Sequence, residues 1–223
     1  MWQTIRMDNF DLVTLPNDDN QVSDYLVKIC RYAVDLSCGN LKDVIIYGFA
    51  TDDLLKYIAD RSSNLQRIRL EYCDQISKEG LIELGTKLPR LEELDISIDL
   101  LPGFCHLHKW NQFHHVLPFE FAAQCNDEAF AIAKTMPGLR HLNISGNPLN
   151  DDGLRAILDG CPLIESLNLE GCFNISQSLE DRCYDQIKDL QLSDFWSKLC
   201  FRENCGMSTE IEDSSYHSSD SEY

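Results

Sequence analysis

The 223-residue chain is poor in positive charge: 19 lysines and arginines stand against 37 aspartates and glutamates, a formal net charge of -18. Such a chain repels phosphate backbones and anionic lipid, which argues against nucleic acid and membrane as partners and leaves either a basic protein surface as the better match or an excess of acid that serves solubility alone. It has no run of about 18 apolar residues to span a bilayer. The opening "MWQTIRMDNFDLV" lacks the apolar stretch and small-residue cleavage site of a secretory leader. Cytoplasm or nucleus is the expected address, so the ten cysteines are expected as reduced thiols. None of them forms a CxxC pair, which argues against a zinc ribbon or a thioredoxin-type centre. There is no glycine-rich phosphate loop, and Ser145, in "NISGN", lacks the G-x-S-x-G elbow of a hydrolase. No catalytic residue and no cofactor are expected.

What the chain has in abundance is spacing. Leu139, Leu142, Ile144, Asn147 and Leu149 are answered by Ile164, Leu167, Leu169, Cys172 and Ile175. The same spacing runs through Leu65, Ile68, Leu70, Cys73 and Ile76, through Leu91, Leu94, Ile96 and Asp99, and through Leu41, Val44 and Ile46; Ile187, Leu190 and Leu192 close the series. Starting positions are 41, 65, 91, 139, 164 and 187, so the steps run from 23 to 26 residues with one of 48. This is the leucine-rich repeat, L-x-x-L-x-L-x-x-N/C-x-L, within its usual period of about 20–29 residues. The x-L-x-L portion alternates with period two and forms a short strand with one apolar face. Apolar residues at helical spacing follow, Leu81, Ile82 and Leu84 in one unit and Leu154, Ile157 and Leu158 in another. "SKEG" and "NDDG" supply N-caps and first-turn acid, and Pro89, Pro137 and Pro162 stop the helices. One unit cannot bury its apolar face alone, but a stack can. The expected fold is therefore α/β, a right-handed β-α solenoid with parallel strands on its concave face.

The ninth position holds Cys73, Asp99, Asn147 and Cys172. Here the chain leaves the strand with unpaired backbone groups inside the stack, and a small hydrogen-bonding side chain suits it. These four residues are read as structural. Strand residues alternating with the core leucines line the concave face, the usual recognition surface of a solenoid. Tyr47, Arg67, Arg69 and Tyr72 are the chief anchor candidates, because tyrosine and arginine dominate interface hot spots. His141, Asn143 and Asn168 extend the candidate face toward the C-terminus.

Longer runs carry a family resemblance: "YLVKICRYAVDLSCGNL" (25–41), "TDDLLKYIADRSSNLQRIRL" (51–70), "EAFAIAKTMPGLRHL" (128–142), "DDGLRAILDGCPLIESLNL" (151–169) and "RCYDQIKDLQL" (182–192). The chain resembles plant F-box/leucine-rich-repeat proteins of the Skp-interacting-partner-like group over residues 1 to about 192, least well over 97–126. The resemblance implies a receptor whose repeats hold a target protein for ubiquitination while an N-terminal F-box grips the Skp adaptor of a cullin-based ligase. "MWQTIRM" is similar to the segment that follows the F-box, so the box itself is expected to be absent. Adaptor binding is thus expected only with an F-box restored upstream, and a free repeat scaffold that competes for the same target is the alternative.

The remaining segments are read as accessory. Residues 1–40 form a linker and a capping helix whose face of Leu26, Ile29, Cys30, Ala33 and Val34 shields the first open strand. The repeat domain is expected over 41–200. Within it, the stretch around 97–126 reads as a degenerate repeat, with its strand near Leu107–Phe113, plus an outward loop. The cluster Cys105, His106, His108, His114 and His115, with Cys125 nearby, lacks the paired spacing of a zinc site and is read as exposed histidines, with no metal. Residues 201–223 are serine- and acid-rich with almost no aliphatic content and are expected to be disordered. Thr209 and Ser219, each three residues before a glutamate, are candidates for acid-directed phosphorylation.

Overall fold

The computed structural model describes residues 2–7, 19–73, 75–98 and 126–193. Strands and helices alternate along the chain: β1 (Thr4–Met7), α1 (Asp19–Leu36), β2 (Asp43–Tyr47), α2 (Asp52–Arg61), β3 (Arg67–Glu71), α3 (Lys78–Lys87), β4 (Glu93–Asp95), α4 (Asp127–Thr135), β5 (His141–Asn143), α5 (Asp151–Gly160), β6 (Ser166–Leu169), α6 (Gln177–Gln186) and β7 (Asp189–Leu192). All seven strands form one parallel sheet in sequence order. Helices α1 to α5 pack side by side in the same order. This is the leucine-rich-repeat solenoid that the spacing predicts.

The register follows the repeat. Val44, Ile68, Leu94, Leu142, Leu167 and Leu190 stand opposite one another from β2 to β7. The first five of them are buried, and together with Leu54, Leu55, Ile58, Leu81, Leu84, Leu154 and Ile157 of the helices they form one core. Each such aliphatic side chain contributes about 1.5–3 kcal/mol relative to exposure.

Helix starts are tied between neighbouring repeats. Ser77 caps α3 at the Gly80 N–H (3.3 Å), and its own N–H and hydroxyl donate to Asp52, at 2.9 and 2.6 Å. Three repeats later, Ser176 donates to Asp151 in the same way, at 2.8 and 2.7 Å. Among the described residues no helix is long and apolar enough to cross a membrane.

Three expectations change. First, residues 4–7 are a strand. Ile5 pairs with Val44 and is buried, so the edge of β2 is covered by backbone pairing and α1 is the first helix of the helical layer. Second, Ile29 is exposed, whereas Leu26, Cys30 and Val34 are buried. Third, no repeat lies between β4 and β5. Leu94 pairs directly with Leu142, and α3 packs directly on α4. Pairing continues beyond the strand, the Ile96 N–H donating to Asn143 O (2.9 Å) and the Ile98 N–H to Ser145 O (2.8 Å). The 48-residue step is one repeat with an insertion, and the strand expected near Leu107–Phe113 cannot stand between these partners. Residues 99–125, with the histidine cluster, lie outside the described residues, as do Asp99, the 201–223 tail, Thr209 and Ser219.

Excising 99–125 in favour of a short glycine–serine linker is accordingly expected to preserve the fold. Loop shortening gains only about 0.6 kcal/mol per halving, so the midpoint of thermal unfolding followed by circular dichroism should move by a few degrees at most. Loss of the helical signal in the shortened chain would show that the inserted segment supports the stack.

Candidate protein-binding face

Alternation along each strand sends one set of side chains into the core and the other onto the sheet face opposite the helices. Two rows cross that face. The first runs Asp43, Arg67, Glu93, His141, Ser166 and Asp189, and the second Ile45, Arg69, Asp95, Asn143, Asn168 and Gln191. All the described anchor candidates except Tyr47 and Tyr72 fall in these rows, and Arg6 of β1, which the periodic reading overlooked, adds a cation at the edge.

The arginines are not isolated charges. Arg67 Nη2 donates to Asp43 Oδ2 directly opposite on β2 (3.2 Å), and Arg69 Nε donates diagonally to Glu93 Oε1 on β4 (2.7 Å). The two arginine side chains are 42% and 40% exposed, whereas those of Asp43 and Glu93 are 17% and 19% exposed. Asp43 Oδ1 is buried with no hydrogen-bond partner among the described residues. The N-terminal half of the face is thereby close to neutral.

Toward the C-terminus the polar side chains serve the backbone as well as the surface. Asp95 accepts the Ser97 N–H (2.9 Å), Asn143 that of Ser145 (3.1 Å) and Asn168 that of Glu170 (2.9 Å). Asn143 also donates to Asp95 across the strands at 2.9 Å. Asn143 and Asn168 are therefore partly committed to ending their strands. His141 is exposed.

Tyr72 lies just past β3, in the turn, with φ +57°. Gly48, Gly146 and Gly171 hold the matching turns at φ +81°, +75° and +77°. The geometry recurs because the turn N–H reaches the next repeat: Gly48 donates to Glu71 O, Tyr72 to Ser97 O and Gly146 to Glu170 O, at 2.9, 3.2 and 2.7 Å. Left-handed backbone costs an L-residue about 1–2 kcal/mol. In return the turn holds the Tyr72 ring 4.6 Å from that of Tyr47, tilted by 48°.

The ninth-position residues act inside the stack. Cys172 Sγ donates to Ile144 O of the preceding repeat (3.3 Å), and Cys73 Sγ lies 3.9 Å from Ile46 O, the matching carbonyl of its own neighbour. Asn147 is buried and accepts the Leu149 N–H at 3.0 Å. All six described cysteines are free thiols. Burial pushes Cys30 and Cys172 up to about 12 and Cys161 and Cys183 up to about 11, against an ordinary 9.0. These raised values make stability full below about pH 9 and erode it as pH climbs toward 11–12, because the unfolded chain ionises its thiols first. Iodoacetamide at pH 8.5 is expected to modify the exposed Cys38 quickly and to spare those four until denaturant is added. Peptide mapping by mass spectrometry checks this, and rapid labelling of Cys172 in the native chain would contradict it.

Comparison with known proteins decides the family. The leucine-rich-repeat family model matches residues 61–85 and 137–158. The chain is 38% identical over 218 residues to F-box/LRR-repeat protein 22 of Arabidopsis thaliana, covering 87% of this chain and 69% of the relative. The chain belongs to the plant F-box/leucine-rich-repeat family. Two further members from the same plant agree: F-box protein SKIP19, 43% identical over 84% of this chain, and F-box/LRR-repeat protein 23, 41% identical over 86%. The chain spans 62% and 44% of the length of these two relatives.

Proposed function

We propose that this chain is the target-binding repeat domain of a Skp–cullin–F-box type ubiquitin ligase, acting in the cytoplasm or nucleus. A target protein would be held on the concave, open face of the sheet for ubiquitination and degradation by the proteasome. The observation that carries the reading is an uninterrupted seven-strand face, bearing Tyr47, Arg67, Arg69 and Tyr72, in a member of the F-box/leucine-rich-repeat family. No residue of the chain performs bond chemistry in this role. Its contribution is positional, raising the effective concentration of target lysines near a charged conjugating enzyme. Beyond the Arg67–Asp43 and Arg69–Glu93 pairs, the face carries Arg6 against Asp95, Glu170 and Asp189, an acidic excess that favours a target surface with basic character.

The reading is tested by expressing the chain alone and joined to an upstream F-box, then identifying co-purified proteins with the proteasome inhibited. Both forms should retain the same target, and only the joined form should retain the Skp adaptor and shorten the target's half-life. A joined form that retains the adaptor but leaves the target's half-life unchanged would favour the free-scaffold alternative. Target retention indifferent to Arg67→Ala with Arg69→Ala and to Tyr47→Ala would remove the open face from the reading.

A further inference from the structure

α1 buries Leu26, Cys30 and Val34 in the core, yet it carries a second apolar stripe. Tyr25, Ile29, Tyr32 and Leu36 follow one another at steps of four, three and four, the spacing that lines side chains along one side of a helix. They are 63%, 38%, 66% and 43% exposed, whereas the other large exposed hydrophobics among the described residues fall singly on separate elements. A helix needs only one apolar face to join a stack, so the second is not explained by the fold.

The charge beside the stripe is also unlike the rest of the molecule. Lys28 is exposed. Arg31 and Arg61 both stack on the Tyr57 ring, 4.9 and 3.7 Å from its centroid. Asp35 pairs with Arg61 (3.0 Å) and accepts the Tyr57 hydroxyl (2.8 Å). Arg31 Nε is buried with no hydrogen-bond partner among the described residues. Among the described side chains of this face, three cations thus stand with two carboxylates, Asp24 and Asp35, on a chain whose overall ratio is 19 to 37. Stacking on Tyr57 restrains the two guanidiniums, which lowers the entropy lost when they bind an anion.

We propose that this face of α1 docks an acidic amphipathic helix from a partner protein. The partner's apolar residues, at matching three- and four-residue spacing, would seat on Tyr25, Ile29, Tyr32 and Leu36, and carboxylates on one flank would meet Lys28 and Arg31. The surface is separate from the open sheet face and does not depend on the role assigned there.

The test uses the whole chain and two synthetic helices as long as α1, with leucines at the same spacing. One has flanking glutamates and the other flanking lysines. Fluorescence anisotropy should show saturable binding of the glutamate helix, weakened at least tenfold by Tyr25→Ser with Tyr32→Ser and several-fold by Arg31→Gln. Both tyrosines are exposed, so the double substitution should leave the melting temperature unchanged. The lysine helix should bind at least tenfold more weakly, against the general attraction of an acidic chain for cations. Equal or tighter binding of the lysine helix, or indifference to the tyrosine substitutions, would overturn the proposal. So would a concentration-dependent dimer abolished by those substitutions in sedimentation, which would assign the stripe to a second copy. Binding that appears only after Phe10, Leu12 and Val13 are replaced by serine would assign the stripe to the chain's own 8–18 segment, and would equally overturn it.

Discussion

Replacing Gly160 with alanine is expected to destabilise the protein by about 2 kcal/mol net, although alanine is the better helix former by about 1 kcal/mol. The reason lies in the α4–α5 contact. A Cβ at Gly160 would stand 2.4 Å from Ala133 O and 2.8 Å from Ala133 C and Cα, all backbone atoms that cannot rotate away. Relief requires the two helices to separate, and overpacking of this kind costs about 1–3 kcal/mol or more. At about 2–4 °C per kcal/mol for a chain of this size, the melting midpoint should fall by roughly 4–8 °C. Because a repeat array is held together by neighbour interfaces, the loss should concentrate on one side of the contact. Hydrogen exchange at β6 and β7 should accelerate more than at β2 and β3. Gly48→Ala is the comparison, since nothing lies within 4 Å of its Cβ and only the positive φ opposes it. Its cost should stay near 1 kcal/mol. If Gly160→Ala proved as stable as the parent, the helices would have to be more loosely packed than described.

The strand register was legible in the sequence because it rests on aliphatic spacing alone: Val44, Ile68, Leu94, Leu142 and Leu167 meet as their positions demand. The caps at Ser77 and Asn150 were legible for the same local reason. Three features were not. β1 has only Ile5 and Met7 on its inner face and no following repeat motif, so the short "TIRM" carries too little pattern to call a strand. The 48-residue step is twice a repeat, so counting cannot separate a hidden repeat from an insertion, and only the Leu94–Leu142 pairing decides. Gly80 and Gly153 stand in the first turns of their helices, and each leaves the space that Asp52 or Asn126 of the preceding unit fills, with a Cβ only 2.0 or 2.3 Å from the nearest oxygen. That close approach is a property of two neighbouring repeats at once. The face itself was half legible. Alternation places Arg67 and Arg69, but pairing with Asp43 and Glu93 requires the register as well, and the left-handed turn at Tyr72 appears only when it is laid over Gly48, Gly146 and Gly171.

Tyr72→Gly is expected to separate binding from stability more cleanly than any other change on the open face. Three contributions to stability nearly cancel. Removing a left-handed L-residue gains about 1–2 kcal/mol, the added freedom of glycine in the unfolded chain costs about 0.5–1 kcal/mol, and loss of the Tyr47 ring contact costs about 0.5–1.5 kcal/mol. The turn N–H that reaches Ser97 O is kept, because glycine adopts φ +57° freely. Binding has no such compensation. An aromatic anchor at an interface is worth about 2 kcal/mol or more, and with each 1.4 kcal/mol a factor of ten, affinity for the target retained by the chain should fall roughly thirtyfold. Calorimetric melting and surface plasmon resonance on the same preparation check both halves. Tyr72→Phe, which keeps the ring beside Tyr47, should restore most of the affinity. A glycine variant that melts near the parent and binds the target equally well would mean that the ring is merely tolerated in its turn. The anchor would then have to be sought among Tyr47, Arg67 and Arg69. A large loss of stability would instead mean that the packed tyrosine pair holds β2 to β3, with the strained turn maintained for folding rather than for recognition.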